Sequence, residues 1–308
     1  MRRRDELVLE FWDRSKELTL NGKKYQNFLQ KFWYFLQEYD VGRSDITTNS
    51  IIAKNKKISA VITAREDGII AGLEEFKFLN KDLKITSFKN DGDAIKNEDV
   101  FLEIKGNARK ILQRERASLN LLQRMSAIVT LTNLLSKHLG GRARIAATRK
   151  TLWGIIDKKA VSIGGGLTHR LNLNDGILIK DNHIKIMNFD IKKSIAAAKN
   201  KSKYIEIEVE SKEQALIAAK SMMKLKNSKL KRRNLFAIML DKIPPKEIAL
   251  IIKDLKEQSL HECVLLEASG NINPNNITNY ANCEADIISM GFITNSAKAL
   301  NMSLEITK

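Results

Sequence analysis

Residues 204–209, YIEIEV, decide how the fold is read. In an extended chain successive side chains point to opposite faces. Ile205, Ile207 and Val209 therefore share one side, and Glu206 and Glu208 share the other. A strand with an apolar side facing helices and carboxylates facing inward suits the wall of a barrel better than an open surface. The same rhythm recurs at RARIAAT (142–148), GILIK (176–180), LFAIML (235–240), CVLLEAS (263–269) and ADIISM (285–290). Helix-period segments at 190–200, 212–226, 245–258 and 274–282 separate most of these runs. Repeated strand–helix units predict a parallel sheet, and this many in series predicts a barrel.

In such barrels the reacting groups collect at the C-terminal ends of the strands. Those ends carry Arg149 and Lys150, Lys180, Glu206 and Glu208, Asp241, Glu267 and Ser269, then Ser289 and Gly291. Strands covered on both faces are expected to be mostly apolar. Polar groups at matching positions therefore point to a shared site.

Residues 1–141 read differently. KYQNFLQKFWYFLQEYDVG (24–42) predicts an amphipathic helix with Phe28, Phe32, Phe35 and Leu36 on one face, ending at Gly42. ISAVITARE, LKITSFK and VFLEIKG predict short strands, divided by turn signals at 66–68 and 90–93. Residues 108–141 predict two helices or one broken helix, closing at Gly140–Gly141. The tail, SAKALNMSLEITK, carries a final strand that need not belong to the barrel.

The chain of 308 residues has 53 Lys and Arg against 36 Asp and Glu, a net charge of +17. That excess suits either a nucleic-acid binder or an enzyme for polyanionic small molecules. The cations are spread along the chain, with small clusters at 55–57 and 229–233, and aromatics are only 6%. No helix-turn-helix, RRM or KH pattern accompanies them, which favours the enzyme and argues against nucleic acid. No apolar run approaches the roughly 18 residues of a membrane span. The opening MRRRDELVLEFWDRSKEL lacks a continuous apolar segment and a small-residue cleavage site, so a cytoplasmic address is expected. Cys263 and Cys283 are too few for a disulfide framework and fit buried apolar positions.

Several constellations carry chemistry. Arg149 and Lys150 in ATRKT fit either two solvated loop cations or an anion clamp, with Arg binding bidentately and Lys as a point charge. Gly164, Gly165 and Gly166 permit positive φ or close backbone approach to a ligand. His169, Arg170 and Lys180 follow, making five potential cations at one barrel mouth. Such crowding needs an anionic ligand to compensate it. Glu206 and Glu208 fit structural salt bridges, or a magnesium or ribose-hydroxyl site assisted by Asp241. EASGN (267–271) and SMGFIT (289–294) have the small residues of late-strand phosphate loops. His183 is a lesser candidate for the mouth, and His138 and His261 fall outside these groups.

Taken together the landmarks resemble the quinolinate phosphoribosyltransferases. They are DVGRSDIT, AREDGIIAG, RERASLNLLQRMSAI, ATRKT, GGGLTHRLNLNDGILIKDNH, IEIEVES, IMLD, EASGNI and DIISMGFITNSAKALNMSLEI, in that order from residue 40 onward. The resemblance leaves about the first 20 residues uncovered. It implies an α/β fold: an N-terminal α/β sandwich domain plus an open parallel α/β (TIM-like) barrel, with the C-terminal tail returning to the first domain. The expected parts are an extension at 1–20, the sandwich at 21–117 and 292–308, and the catalytic barrel at 118–291.

The implied reaction joins quinolinate and phosphoribosyl pyrophosphate, giving nicotinate mononucleotide, pyrophosphate and CO₂ in NAD biosynthesis. It also implies a homodimer or higher homo-oligomer in which Arg116 reaches the partner's site. Arg149, Lys150, His169, Arg170 and Lys180 match the cationic pocket. Glu208, with Glu206 nearby, and Asp241 match carboxylates for ribose hydroxyls and Mg²⁺. Lys150, Glu208 and Asp241 are the expected catalytic set. Ser269, Gly270, Asn271, Ser289 and Gly291 match the 5′-phosphate loops. Asn271, Lys242, Asn295 and the sequence TLWG depart from the family pattern; asparagine tolerates positive φ better than most residues. The alternatives are a phosphoribosyltransferase that accepts nicotinate or a related base without decarboxylation and, in another class, a basic RNA-binding protein.

Overall fold

The computed structural model describes residues 2–227 and 234–307, so the basic cluster at 229–233 lies outside the described residues. The chain divides into two compact units. The barrel unit takes in residues 2–14, 134–154 and 165–295; the sandwich unit takes in 15–133, 155–164 and 296–307.

In the barrel unit six parallel strands follow the order Arg144–Ala146, Ile287–Ser289, Leu265–Ser269, Leu235–Asp241, Tyr204–Val209 and Ile177–Ile179. Ile205, Ile207 and Val209 are buried, as the alternation requires of a side that faces helices. The register places Glu208 opposite Met239, Met239 opposite Glu267, and Asp241 opposite Ser269. These residues therefore share the inner face. The intervening helices form where the apolar period predicts them, at Ile191–Ala198, Lys212–Lys226, Pro245–Glu257 and Ile277–Tyr280. Asp190 and Ser211 cap two of them by accepting from the N–H of Lys193 and Gln214, and Pro245 opens a third with its φ already helical.

Of the segment expected to be an extension, residues 2–14 belong to this unit and 15–20 to the sandwich unit. Residues Arg2–Trp12 form a helix whose Val8, Phe11 and Trp12 recur at helical spacing and are buried. They pack on Ala146, Ala237, Leu265 and Ile287 of the strands and on Leu167, which bridges to Ala146. Each such side chain contributes about 1.5–3 kcal/mol when fully buried. Polar contacts pin the outer side, with Arg4 gripping Asp286 bidentately at 2.6 and 2.8 Å and Glu10 pairing with Lys203.

The sandwich unit is built on a four-stranded antiparallel sheet, ordered Met302–Thr307, Lys57–Ala64, Val100–Asn107 and Lys84–Ser87. The tail strand pairs here, Ser303 opposite Thr63, and not in the barrel. Ile62, Phe76, Phe101, Leu102, Ile111 and Leu122 form its core. Residues Ala108–Leu139 are one unbroken 32-residue helix, not two. Its share up to Asn133 belongs to this unit, which moves the sandwich border past 117, and residues 155–164 join it as well. The buried carboxylate of Asp157 explains part of that transfer, because the Arg124 guanidinium on the long helix binds it at 2.9 and 3.0 Å. The helix Lys23–Val41 ends at Gly42 (φ 58°) as expected, but its buried residues are Tyr25 and Leu29. Phe28 and Phe35, expected on the packed face, are exposed.

Candidate active site

Gly164 and Gly165, ahead of the His169–Arg170 pair, serve two different needs. A Cβ on Gly164 would lie 2.8 Å from Thr132 Cβ and 2.9 Å from the Val129 carbonyl, so this residue lets the chain press against the long helix. Gly165 sits at φ 87°, a conformation that L side chains rarely adopt. Neither constraint involves a ligand.

Beyond them the chain enters the barrel. Leu167 bridges to Ala146, and Thr168 and His169 are buried. His169 is held at φ 53°, a costly region for a non-glycine residue. Its Nδ1 accepts the backbone N–H of Arg170 at 2.8 Å. A neutral imidazole has one lone pair, so Nε2 carries the hydrogen. Nε2 points at Glu267 Oε2 (3.0 Å), with Glu206 Oε2 at 3.4 Å. Three buried side chains thus converge as metal ligands would. With its lone pair on Nδ1, however, His169 cannot also ligate through Nε2, and the cluster is built to hold a proton. Burial pushes the Glu206 carboxyl well up, and the charge of Glu267 adds to this. Glu206 is therefore the acid of the pair and Glu267 the carboxylate.

The remaining cations stand at the strand ends. Arg149 and Lys150 are exposed in the turn after Arg144–Ala146. The Lys150 carbonyl accepts from Thr294 Oγ1 at 2.8 Å, and Lys150 Cδ would lie 3.0 Å from a Cβ on Gly291. Arg170 Nη1 donates to the Gly176 carbonyl at 2.9 Å. Burial and then the nearby Arg149 charge lower the Arg170 pKa. Lys180 pairs with Glu208, and its backbone N–H donates to His183 Nδ1 at 2.9 Å, which gives His183 a capping role. Glu208 is buried; Asp241, with 12% of its side chain exposed, lies 3.3 Å from Lys242 Nζ. Their oxygen-only donor set, two residues apart in register on adjacent strands, fits Mg²⁺, with a lysine now neutralising each carboxylate.

The late turns are tightly joined. Lys242 N donates to the Ser269 carbonyl at 2.9 Å. Gly270 sits at φ 94°, and a Cβ there would be 2.4 Å from Lys242 N. Asn271 adopts φ 54°, the conformation asparagine tolerates, and Lys242 adopts φ 59°. Ser269 and Ser289 are buried beneath these turns, while Gly270 and Gly291 are partly open. Arg116 is exposed on the long helix of the sandwich unit.

The profile described as the quinolinate phosphoribosyl transferase C-terminal domain matches residues 128–305. Its N-terminal counterpart matches 45–126. The chain belongs to the quinolinate phosphoribosyltransferase family. A relative from Methanocaldococcus jannaschii, named probable nicotinate-nucleotide pyrophosphorylase (carboxylating), is 40% identical over 88% of this chain and 94% of its own length. One of the same name from Methanothermobacter thermautotrophicus is 38% identical over 87% of this chain and 95% of its own. The solved nicotinate-nucleotide pyrophosphorylase from Francisella tularensis superposes with a TM-score of 0.78 at 30% identity, covering 91% of this chain and 96% of that one.

Within this family fold the structure gathers Arg149, Lys150, Arg170, Lys180, Glu208 and Asp241 at the strand ends of one unit. It turns the nitrogens of His169, and with them Glu206, into the interior. Sequence reasoning placed Glu267 among the strand-end groups but gave it no role. Its signal was the alternation in LLEAS, which puts Glu267 on the face of Ser269. Trp12 and Arg14 were missed, because charges mask the apolar spacing of the first helix.

Proposed function

We propose that this protein transfers the 5-phosphoribosyl group to the ring nitrogen of quinolinate, releasing pyrophosphate and CO₂ and yielding nicotinate mononucleotide. The observation that carries this reading is the gathering of Arg149 and Arg170 at one end of the barrel unit, with Arg149 exposed in its turn and Arg170 held through the Gly176 carbonyl. With Lys150 and Lys180 they call for a ligand of several negative charges. Membership of the family supplies its identity.

On this reading the two quinolinate carboxylates are held by Arg149, Arg170 and Lys150, with Arg116 contributed across a homodimer. Glu208 and Asp241 hold the ribose hydroxyls and favour positive charge on the ribose as the C1′–oxygen bond breaks. The same carboxylates would hold Mg²⁺, which supplies positive charge to the pyrophosphate leaving group. Gly270, Asn271 and Gly291, over Ser269 and Ser289, take the 5′-phosphate on backbone N–H groups. The ring nitrogen attacks C1′, the resulting pyridinium stabilises the electron pair left when the adjacent carboxylate departs as CO₂, and that carbon then takes up a proton from solvent. Catalysis is then positioning and electrostatics, with no covalent enzyme intermediate. His169 acts from beneath, through the Arg170 backbone. A cytoplasmic address completes the reading; among the described residues no helix is long and apolar enough to cross a membrane.

The test is incubation of the purified protein with phosphoribosyl pyrophosphate, Mg²⁺ and either quinolinate or nicotinate. Release of CO₂ with nicotinate mononucleotide from quinolinate alone supports the reading. Product from nicotinate without CO₂ would replace it with a non-decarboxylating transfer.

A further inference from the structure

The loop Thr168–Gly176, which carries His169 and Arg170, is fastened from below by a residue outside the matched family domains. The Arg14 backbone N–H donates to Thr168 Oγ1 at 2.7 Å. Thr168 Oγ1 in turn lies 3.3 Å from the Trp12 carbonyl and 3.1 Å from the His169 carbonyl. The Arg14 guanidinium donates from Nε to Asp175 Oδ1 at 2.8 Å. The other oxygen of Asp175 accepts the Leu171 N–H at 2.9 Å. One arginine therefore holds both the entrance of the loop and its return.

Arg14 is itself tightly fixed. Its Nη1 donates to the Glu10 and Asp13 carbonyls at 3.1 and 3.0 Å. The guanidinium carbon lies 4.3 Å from the centre of the Tyr204 ring, on the strand that carries Glu206 and Glu208. Only 8% of the side chain is exposed, against 14% for Asp175. A planar fork that bridges carbonyls, a carboxylate and an aromatic face cannot be replaced by a lysine or an apolar chain.

We propose that Arg14 is a positioning residue for the substrate-anion site: through Asp175 and Thr168 it clamps the loop Thr168–Gly176 and so fixes where Arg170 presents its guanidinium. The loop needs such a clamp because it contains a non-glycine residue at positive φ. A strained conformation persists only where its surroundings over-determine it. The helix Arg2–Trp12 does more than fill the barrel: it delivers Arg14 to its place. This inference rests on the reading of Arg170 as a contact to a quinolinate carboxylate.

The test uses the full chain with Arg14→Met, Asp175→Asn and the double substitution. KM for quinolinate and for phosphoribosyl pyrophosphate are measured separately, with amide hydrogen exchange across 168–176. Each single variant is expected to raise KM for quinolinate about tenfold, leave KM for phosphoribosyl pyrophosphate within about twofold, and be no worse in combination. Exchange at Leu171 is expected to quicken at least about tenfold while that of the helix Lys212–Lys226 holds. Additive losses, parallel rises in both KM values, or unchanged loop exchange would overturn the clamp. Asp175→Asn cuts the same link from the loop side and keeps the question open to measurement if Arg14→Met does not fold. If the unmutated protein does not turn over quinolinate, the functional reading fails, and loop exchange still decides the clamp.

Discussion

His169 and Glu267 face each other across 3.0 Å of buried barrel interior, Nε2 to Oε2. The partner nitrogen, Nδ1, is already taken by the Arg170 N–H. This pair therefore fixes the tautomer of His169, and through it the turn that leads to Arg170. Glu267→Leu leaves a buried N–H without its acceptor and is expected to lose about 1–3 kcal/mol of stability in urea unfolding. Glu267→Gln keeps an acceptor and loses less. The chain has only four histidines, so ¹⁵N spectra can check the assignment directly. A His169 signal with hydrogen on Nδ1 would contradict it.

Lys150 is exposed and held through its backbone, so its side chain has little part in folding. Lys150→Ala is expected to keep the wild-type circular dichroism spectrum and melting temperature. Its kcat/KM for quinolinate is expected to fall at least about a hundredfold, the scale of losing one preorganised electrostatic contact. Near-normal turnover would remove Lys150 from the mechanism.

Gly270 offers a sharper steric case. A methyl group there meets Lys242 N at 2.4 Å and Asp241 Oδ1 at 2.9 Å, and φ 94° is already closed to other residues. Gly270→Ala is expected to cost about 1–3 kcal/mol in backbone strain. Because the two turns must part, KM for phosphoribosyl pyrophosphate should rise more than KM for quinolinate. An equal rise in both would place the 5′-phosphate elsewhere.

Glu75 in the sandwich unit gives a pH signature. It is fully buried and accepts the Tyr25 hydroxyl at 2.8 Å; burial first, then the Asp91 charge, raise its pKa to about 7 from 4.5. Between those values the folded state binds more proton than the unfolded state, so stability falls as pH rises and then levels off above the folded pKa. The loss is on the order of 3 kcal/mol over the window. Glu75→Gln should lack this slope. Unfolding free energies of both proteins from pH 4 to 8 check it, and parallel curves would refute it.

Much of the barrel was legible because its signals are local. YIEIEV, LFAIML and CVLLEAS show which side chains share a face, and the helical period between them predicts the parallel connections. The cations and carboxylates at the strand ends could be named for the same reason. The long helix was misjudged because QRERASLNLLQR places polar groups on nearly every turn, and only its packing in the sandwich unit shows that Ala108–Leu139 is continuous. The aromatic face of Lys23–Val41 was misjudged for the opposite reason: periodicity finds an apolar stripe but does not say which part the chain itself covers.

By itself the sequence determined the parallel character of the barrel sheet, the order of the strand–helix units and the residue types at the barrel mouth. These follow from alternation and spacing along a single segment. Only the tertiary structure decided that His169 turns inward, that its Nε2 faces the Glu267 carboxylate, and that Arg14 reaches Asp175. These depend on contacts between segments far apart in the chain, such as 14 with 175 and 169 with 267. Burial there converts ordinary side chains into a proton-holding cluster and a clamp, and no local pattern encodes burial.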